Sequence, residues 1–186
     1  MATQKLSLCV FCGARDGGDP AYGECAEELG RAIAMRGWRL VYGAGNVGLM
    51  GRVARSTQEA GGETLGVIPE HLLGHESGKR DLTTFIVTET MHERKKVMFM
   101  NADAIAVLPG GAGSLDEFFE VLTWRQLGLH NKPIFVINAG GYWTPLKTLL
   151  THVCDSSFAD RSLLEMATFV DSVDALMQDF PSASAR

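Results

Sequence analysis

No apolar run in these 186 residues approaches the ~20 that a helical membrane span requires, so no membrane partner is expected. A basic excess is missing too: 17 Lys and Arg stand against 22 Asp and Glu, for a net charge of −5. Nucleic-acid surfaces carry the opposite balance, so no nucleic-acid partner is expected. The chain opens without the basic start and cleavage site of a secretory signal, which makes a cytoplasmic location the default expectation. Cysteine is scarce, with four residues. Cys9 and Cys12 form a C-x-x-C, but on a strand rather than at a helix start, where the dipole would lower a thiol pKa. They read as small buried hydrophobes. The five histidines form neither H-E-x-x-H nor a Cys/His cluster with zinc spacing, so neither a metal nor another cofactor is expected. There is no internal repeat and no linker. One domain is expected over 1–180, with a frayed tail at 181–186.

Glycine, by contrast, is plentiful at 21 residues, and short apolar runs alternate with helical periodicity. Strands are predicted at 6–11, 39–42, 64–68, 85–88, 104–108, 134–137 and 168–170. Helices are predicted near 20–36, 47–60, 90–101, 114–129, 143–153 and 171–180. Gly37, Gly61-Gly62 and Pro133 supply the breaks. The strands are branched and apolar on both sides, as helices on both faces of a sheet require. A doubly wound, mostly parallel α/β sheet of about seven strands follows. Ligands in such sheets bind beyond the carboxyl ends of the strands. The stretch 69–82 lacks periodicity and carries His71, His75, Glu76, Lys79, Arg80 and Asp81. It reads equally as a mobile loop over the site or as a plain surface excursion.

Two glycine turns occupy that carboxyl edge. Gly43-Ala44-Gly45-Asn46-Val47-Gly48 matches G-x-G-x-x-G. However, it lies in the second βα unit, and no acid closes the following strand, so a dinucleotide site is not supported. Close backbone approach to a nucleotide, or tight helix–sheet packing, fits better. Pro109-Gly110-Gly111-Ala112-Gly113-Ser114-Leu115-Asp116-Glu117 is more telling. It joins an apolar strand to a helix, so its backbone N–H groups can approach an anion at the helix N-terminus. Two carboxylates follow at once. The bland competitor is an S-x-x-E capping box, Glu117 reaching back to the Ser114 N–H.

Helical projection adds two points. Leu115, Phe118, Phe119, Leu122 and Leu129 gather on one side of the fourth helix. Glu117, Glu120, Trp124 and Leu127 gather on the other, which implies a partner surface. In Met91-His92-Glu93-Arg94-Lys95-Lys96, Arg94 and Lys95 flank the stripe of Met91, Met98 and Ala102, while Glu93 and Lys96 point away. A cation beside an apolar stripe needs an anion, here Asp103, Glu117 or a ligand phosphate.

Three elements in this order, Gly43-Ala-Gly-Asn-Val-Gly-Leu-Met-Gly51, Met91-His-Glu-Arg-Lys95 and Pro109-Gly-Gly-Ala-Gly-Ser-Leu-Asp-Glu117, resemble the Lonely Guy (LOG) family of cytokinin riboside 5′-monophosphate phosphoribohydrolases. The resemblance runs from about Leu6 to Phe180 and takes in Phe11-Cys-Gly13 and Thr123-Trp-Arg-Gln-Leu-Gly128. It implies a Rossmann-like homodimer that hydrolyses the N-glycosidic bond of adenine-type nucleoside 5′-monophosphates to free base and ribose 5-phosphate. It also implies Arg94 and Glu117 as the catalytic pair. Substrate contacts carry over to Arg94, Lys95, Gly110, Gly111, Ala112, Gly113, Ser114, Leu115 and Asp116, with Glu76, Thr123 and the first-turn glycines Gly43, Gly45 and Gly48 added. Ser114 replaces the family's threonine and keeps its hydroxyl; Ala44 replaces a glycine. Members often carry the label lysine decarboxylase, yet no lysine here is identified as built to hold pyridoxal phosphate. The competing reading is a carrier of the same fold that binds a nucleotide or nucleotide cofactor without hydrolysing it. A prenyl group on the base would need an apolar pocket, for which Met91, Met98, Trp124 and Leu127 are candidates.

Overall fold

The computed structural model describes residues 5–73 and 81–184, with side chains as far as Phe180. Glu76, His75, Lys79 and Arg80 lie outside the described residues. Among the described residues there are seven strands: β1 Ser7–Phe11, β2 Arg39–Tyr42, β3 Glu63–Pro69, β4 Thr84–Thr88, β5 Ala104–Val107, β6 Ile134–Ile137 and β7 Thr168–Val170. Six α-helices follow them: α1 Pro20–Met35, α2 Gly48–Glu59, α3 Met91–Met100, α4 Ala112–Gln126, α5 Thr144–Asp155 and α6 Val173–Ser184. The last runs through Pro181, whose fixed φ suits a helix and which forfeits one backbone hydrogen bond.

The strands form one sheet in the order β4-β3-β2-β1-β5-β6-β7, parallel throughout. Alternation along each strand divides the core in two. Leu8, Val10, Leu40 and Tyr42 pack with Leu29 and Ile33 of α1, Val53 of α2 and Leu176 of α6. Cys9, Phe11, Val41 and Val67 pack on the opposite face with Met98 of α3, Phe118 and Leu122 of α4, and Leu150 of α5. Each fully buried Leu, Ile or Phe stabilises the fold by about 1.5–3 kcal/mol. All four cysteines are buried and free. Burial pushes the Cys25 thiol up to about 11, and those of Cys9 and Cys12 also well upward, so they behave as hydrophobes.

Chain order reverses direction between β1 and β5. β2, β3 and β4 step outward on one side of β1, and β5, β6 and β7 on the other. The connections leaving β1 and β5 therefore diverge, opening a crevice beyond their carboxyl ends. Gly13 follows β1 and Gly110 follows β5, and the Gly13 N–H donates to the Pro109 carbonyl at 3.0 Å. Both turns meet at that crevice.

Helix α4 starts earlier than expected, which excludes the competing cap at Ser114. Helix α4 begins at Ala112 with Gly111 as its N-cap and no side-chain cap, so Ser114 lies inside the first turn and makes no capping box. The capping box belongs to α3: Thr90 Oγ1 accepts the Glu93 N–H at 3.1 Å, and Glu93 Oε2 accepts the Thr90 N–H at 3.2 Å. Thr90-x-x-Glu93 carries that signature as plainly as the pattern at 114. The expected faces of α4 also shift. Phe119 is 36% exposed and Leu129 68%, because Phe118, Val121 and Leu122 turn to the sheet and the helix ends before Leu129. Trp124 is half-buried with its ring edge-on to Phe99 at 5.0 Å.

Candidate active site

A cavity of about 770 Å³ fills the crevice, a size in the range of small-molecule sites. The second glycine turn forms one wall, with Gly110, Gly111, Gly113, Ser114, Asp116 and Glu117. Gly111 offers no side-chain oxygen to the first N–H groups of α4, which leaves them to an anion at the positive end of the helix dipole. Ser114 is buried beneath the turn, its side chain packed against Gly110.

Arg94 enters from the opposite side. It sits in the first turn of α3, 5% exposed, and its guanidinium is aimed by two main-chain acceptors. Nε donates to the Val67 carbonyl at 3.1 Å and Nη2 to the Gly43 carbonyl at 2.6 Å. A Cβ at Gly43 would strike Nη2, so this glycine is required by the guanidinium. Arg94 and Glu117 line the same cavity. After burial itself, the negative charge of Glu117 is the next largest influence raising the Cys12 thiol pKa, and Arg94 acts on it in the opposite sense. Cys12, just past the end of β1, lines the same cavity as both charges.

Lys95 does not line the cavity. Its Nζ bonds Asp116 at 2.9 Å and Glu120 at 3.2 Å, tying α3 to α4. Burial alone would lower its pKa, but the hydrogen bonds and charges of these two acids prevail and hold it above the ordinary value. Ala112, Leu115 and Thr123 are likewise absent from the cavity wall.

The first glycine turn divides by role. Gly43 lines the cavity, whereas Gly45 packs against Met50 and Gly48, at φ +60°, against the backbone of Ala14 and Arg15. Ala44 takes the glycine-like φ of +58° while fully buried, a strained conformation costing about 1 kcal/mol.

Among the residues considered for a prenyl pocket, Met91 alone lines the cavity; Met98 is in the core and Leu127 is exposed. The apolar wall comes instead from Val10, Leu49, Met50 and Leu72, with the rings of Tyr22 and Tyr142. The loop from Cys12 to Asp19 closes one end, held by Arg52 Nε on Asp16 at 2.6 Å. Sequence reasoning passed over this loop. Its signal was the cluster Gly17-Gly18-Asp19-Pro20 after an apolar strand, which places it on the ligand-binding edge.

The family model described as "Possible lysine decarboxylase" matches residues 50–180. The cytokinin riboside 5′-monophosphate phosphoribohydrolase of Mycobacterium tuberculosis is 41% identical over 184 residues, covering 97% of this chain and 96% of the relative. That of Rhodococcoides fascians is 46% identical over 153 residues, 82% of this chain and 77% of the relative. This chain belongs to the Lonely Guy family. Membership places it among hydrolases rather than among carriers. Among solved structures, the molybdenum cofactor carrier protein of Chlamydomonas reinhardtii superposes with a TM-score of 0.76, at 20% identity and with 98% of this chain and 100% of that one covered. At that identity the likeness shows the fold the Lonely Guy chain adopts, and only the fold.

Proposed function

We propose that this chain hydrolyses the N-glycosidic bond of adenine-type nucleoside 5′-monophosphates, cytokinin riboside 5′-monophosphates and AMP, releasing free base and ribose 5-phosphate. The observation that carries the reading is the meeting of Arg94, Glu117 and the Gly110–Ser114 turn on one cavity at the β1/β5 crossover. The 5′-phosphate docks on the N–H groups opening α4, with the Ser114 hydroxyl as a further donor. Lys95 offsets the charge of Asp116, which would otherwise repel that phosphate.

Cleavage breaks the bond between C1′ and the base nitrogen, and its electron pair leaves with the base. Positive charge develops on C1′ and the ring oxygen, and the Glu117 carboxylate stabilises it. Water adds to C1′, Glu117 takes its proton, and the departing base gains one in turn. Arg94, held by two carbonyls, aligns the ribose. A carrier needs the cradle but has no use for an acid beside it, so the pairing of Glu117 with Arg94 favours hydrolysis. The protein acts as a cytoplasmic homodimer in this reading. Incubating it with AMP and, side by side, isopentenyladenosine monophosphate should release ribose 5-phosphate with adenine or the prenylated base, read by chromatography. Release of neither base would sink the reading.

A further inference from the structure

Tyr142 belongs to none of the glycine or charge motifs. It follows β6 in a turn where Gly140 and Gly141 take left-handed φ values of 58° and 77°, which favour glycine. The turn is pinned on both sides. The Asn138 N–H donates to the Val170 carbonyl at 2.8 Å, and Asn138 Oδ1 accepts the Trp143 N–H at 2.7 Å. Tyr142 is thereby carried to the cavity wall, its ring edge-on to Tyr22 at 5.2 Å. Its hydroxyl donates to the Gly110 carbonyl at 2.6 Å.

That carbonyl belongs to the peptide joining Gly110 to Gly111. In a trans peptide the C=O and N–H share one plane and point in opposite directions, so holding the oxygen also aims the Gly111 N–H. A peptide flanked by two residues without Cβ turns over more readily than others. Gly110 is wedged between Ser114 and the Gly13 backbone, but Gly111 is exposed with open space where a Cβ would lie. Packing therefore holds one end of this peptide, and the Tyr142 hydroxyl bonds to its oxygen.

We propose that Tyr142 is a positioning residue: its hydroxyl sets the Gly110–Gly111 peptide in the orientation that presents the Gly111 N–H to the substrate's 5′-phosphate. The assignment rests on the phosphoribohydrolase reading for the identity of the anion. Its test, however, reads binding and does not require turnover.

Tyr142→Phe keeps the ring and its contacts and removes the hydroxyl. Calorimetric titration of both proteins with ribose 5-phosphate and with adenosine separates the phosphate end of the site from the base end. Affinity for ribose 5-phosphate should fall about five- to tenfold, the scale of one hydrogen bond, with adenosine affinity changed less than twofold. If AMP is turned over, its KM rises by the same factor with kcat unchanged, since the phosphate is gripped equally before and during cleavage. Unchanged ribose 5-phosphate affinity overturns the assignment, as do equal losses for both ligands or a wild-type protein that fails to bind ribose 5-phosphate. A wild-type protein that binds ribose 5-phosphate but releases no adenine from AMP would instead overturn the hydrolase reading alone.

Discussion

At the scale of single residues, the two groups to which the proposed hydrolysis assigns its chemistry, Arg94 and Glu117, are supported differently. The backbone aims Arg94: two carbonyls more than 25 positions away in the chain fix its guanidinium. Glu117 is placed by its helix, one turn beyond the glycines that open it. Glu117→Gln keeps the shape of the side chain and removes the charge. Turnover of AMP should drop on the order of a hundred- to a thousandfold, with nucleotide affinity changed less than about threefold. Single-turnover assays and calorimetry on the same preparation measure both. Turnover within tenfold of wild type would remove Glu117 from the mechanism. Lys95 bears on the family model's description as a possible lysine decarboxylase. A lysine that forms an imine must be deprotonated near neutral pH. Lys95 is held the opposite way, its ammonium kept charged by Asp116 and Glu120.

At the scale of elements, the turn from α4 to β6 is built from cations that serve as staples. Arg125 donates to the carbonyls of Lys132 and Met166, and Lys132 Nζ to those of Phe99 and Ala102 at the end of α3. His130 completes the turn as a neutral ring. Its Nδ1 accepts the Lys132 N–H at 3.1 Å, which leaves Nε2 to donate to the Val121 carbonyl at 2.8 Å. Burial, aided by the charges of Arg125 and Lys132, lowers its pKa below the ordinary 6.5. The unfolded chain therefore binds this proton more readily. Stability should fall as pH drops through 6.5 toward the lowered folded value, and this contribution levels off below it. Urea midpoints at pH 7.5 and 5.5 read the effect, and His130→Gln should flatten that part of the slope. Identical slopes for the two proteins would refute the assignment.

At the scale of the whole molecule, several large apolar side chains stay exposed around the ends of α3 and α4. Phe119, Leu127 and Leu129, with Met100 at the end of α3, leave large apolar side chains in solvent, Leu127 being 67% exposed. A second copy of the chain covering them is the homodimer proposed above. Replacing Leu127 and Leu129 together by Glu should give a monomer at concentrations where the wild type is a dimer, judged by size exclusion with light scattering. Their exposure means the substitutions should move monomer stability by no more than about 0.5 kcal/mol each. The same mass for both proteins would place the contact elsewhere.

Residue patterns alone settled which segments are strands and helices. Strand alternation, helical periodicity and glycine breaks are local, and each is set by neighbours within a turn or a pleat. They also settled that Arg94 and Lys95 turn inward and that Pro109-Gly110-Gly111 leads into a helix at the carboxyl edge of the sheet. The start of α4 was expected at 114 rather than at Ala112, because the glycines at 110, 111 and 113 carry no side chain to mark the cap, and the competing cap at Ser114 stayed open until the fold excluded it. Of the four prenyl-pocket candidates, Met98, Trp124 and Leu127 lie away from the cavity, because helical projection says which residues share a side and nothing about what that side meets. The tertiary structure decided the rest. Seating β1 beside β5 brought the turns after two distant strands together, carried Arg94 from beyond β4 to the Gly43 carbonyl, and swung Tyr142 from beyond β6 onto Gly110. Those contacts span 51 and 32 positions of chain, and proximity over such separations is a property of strand order, which no local pattern encodes.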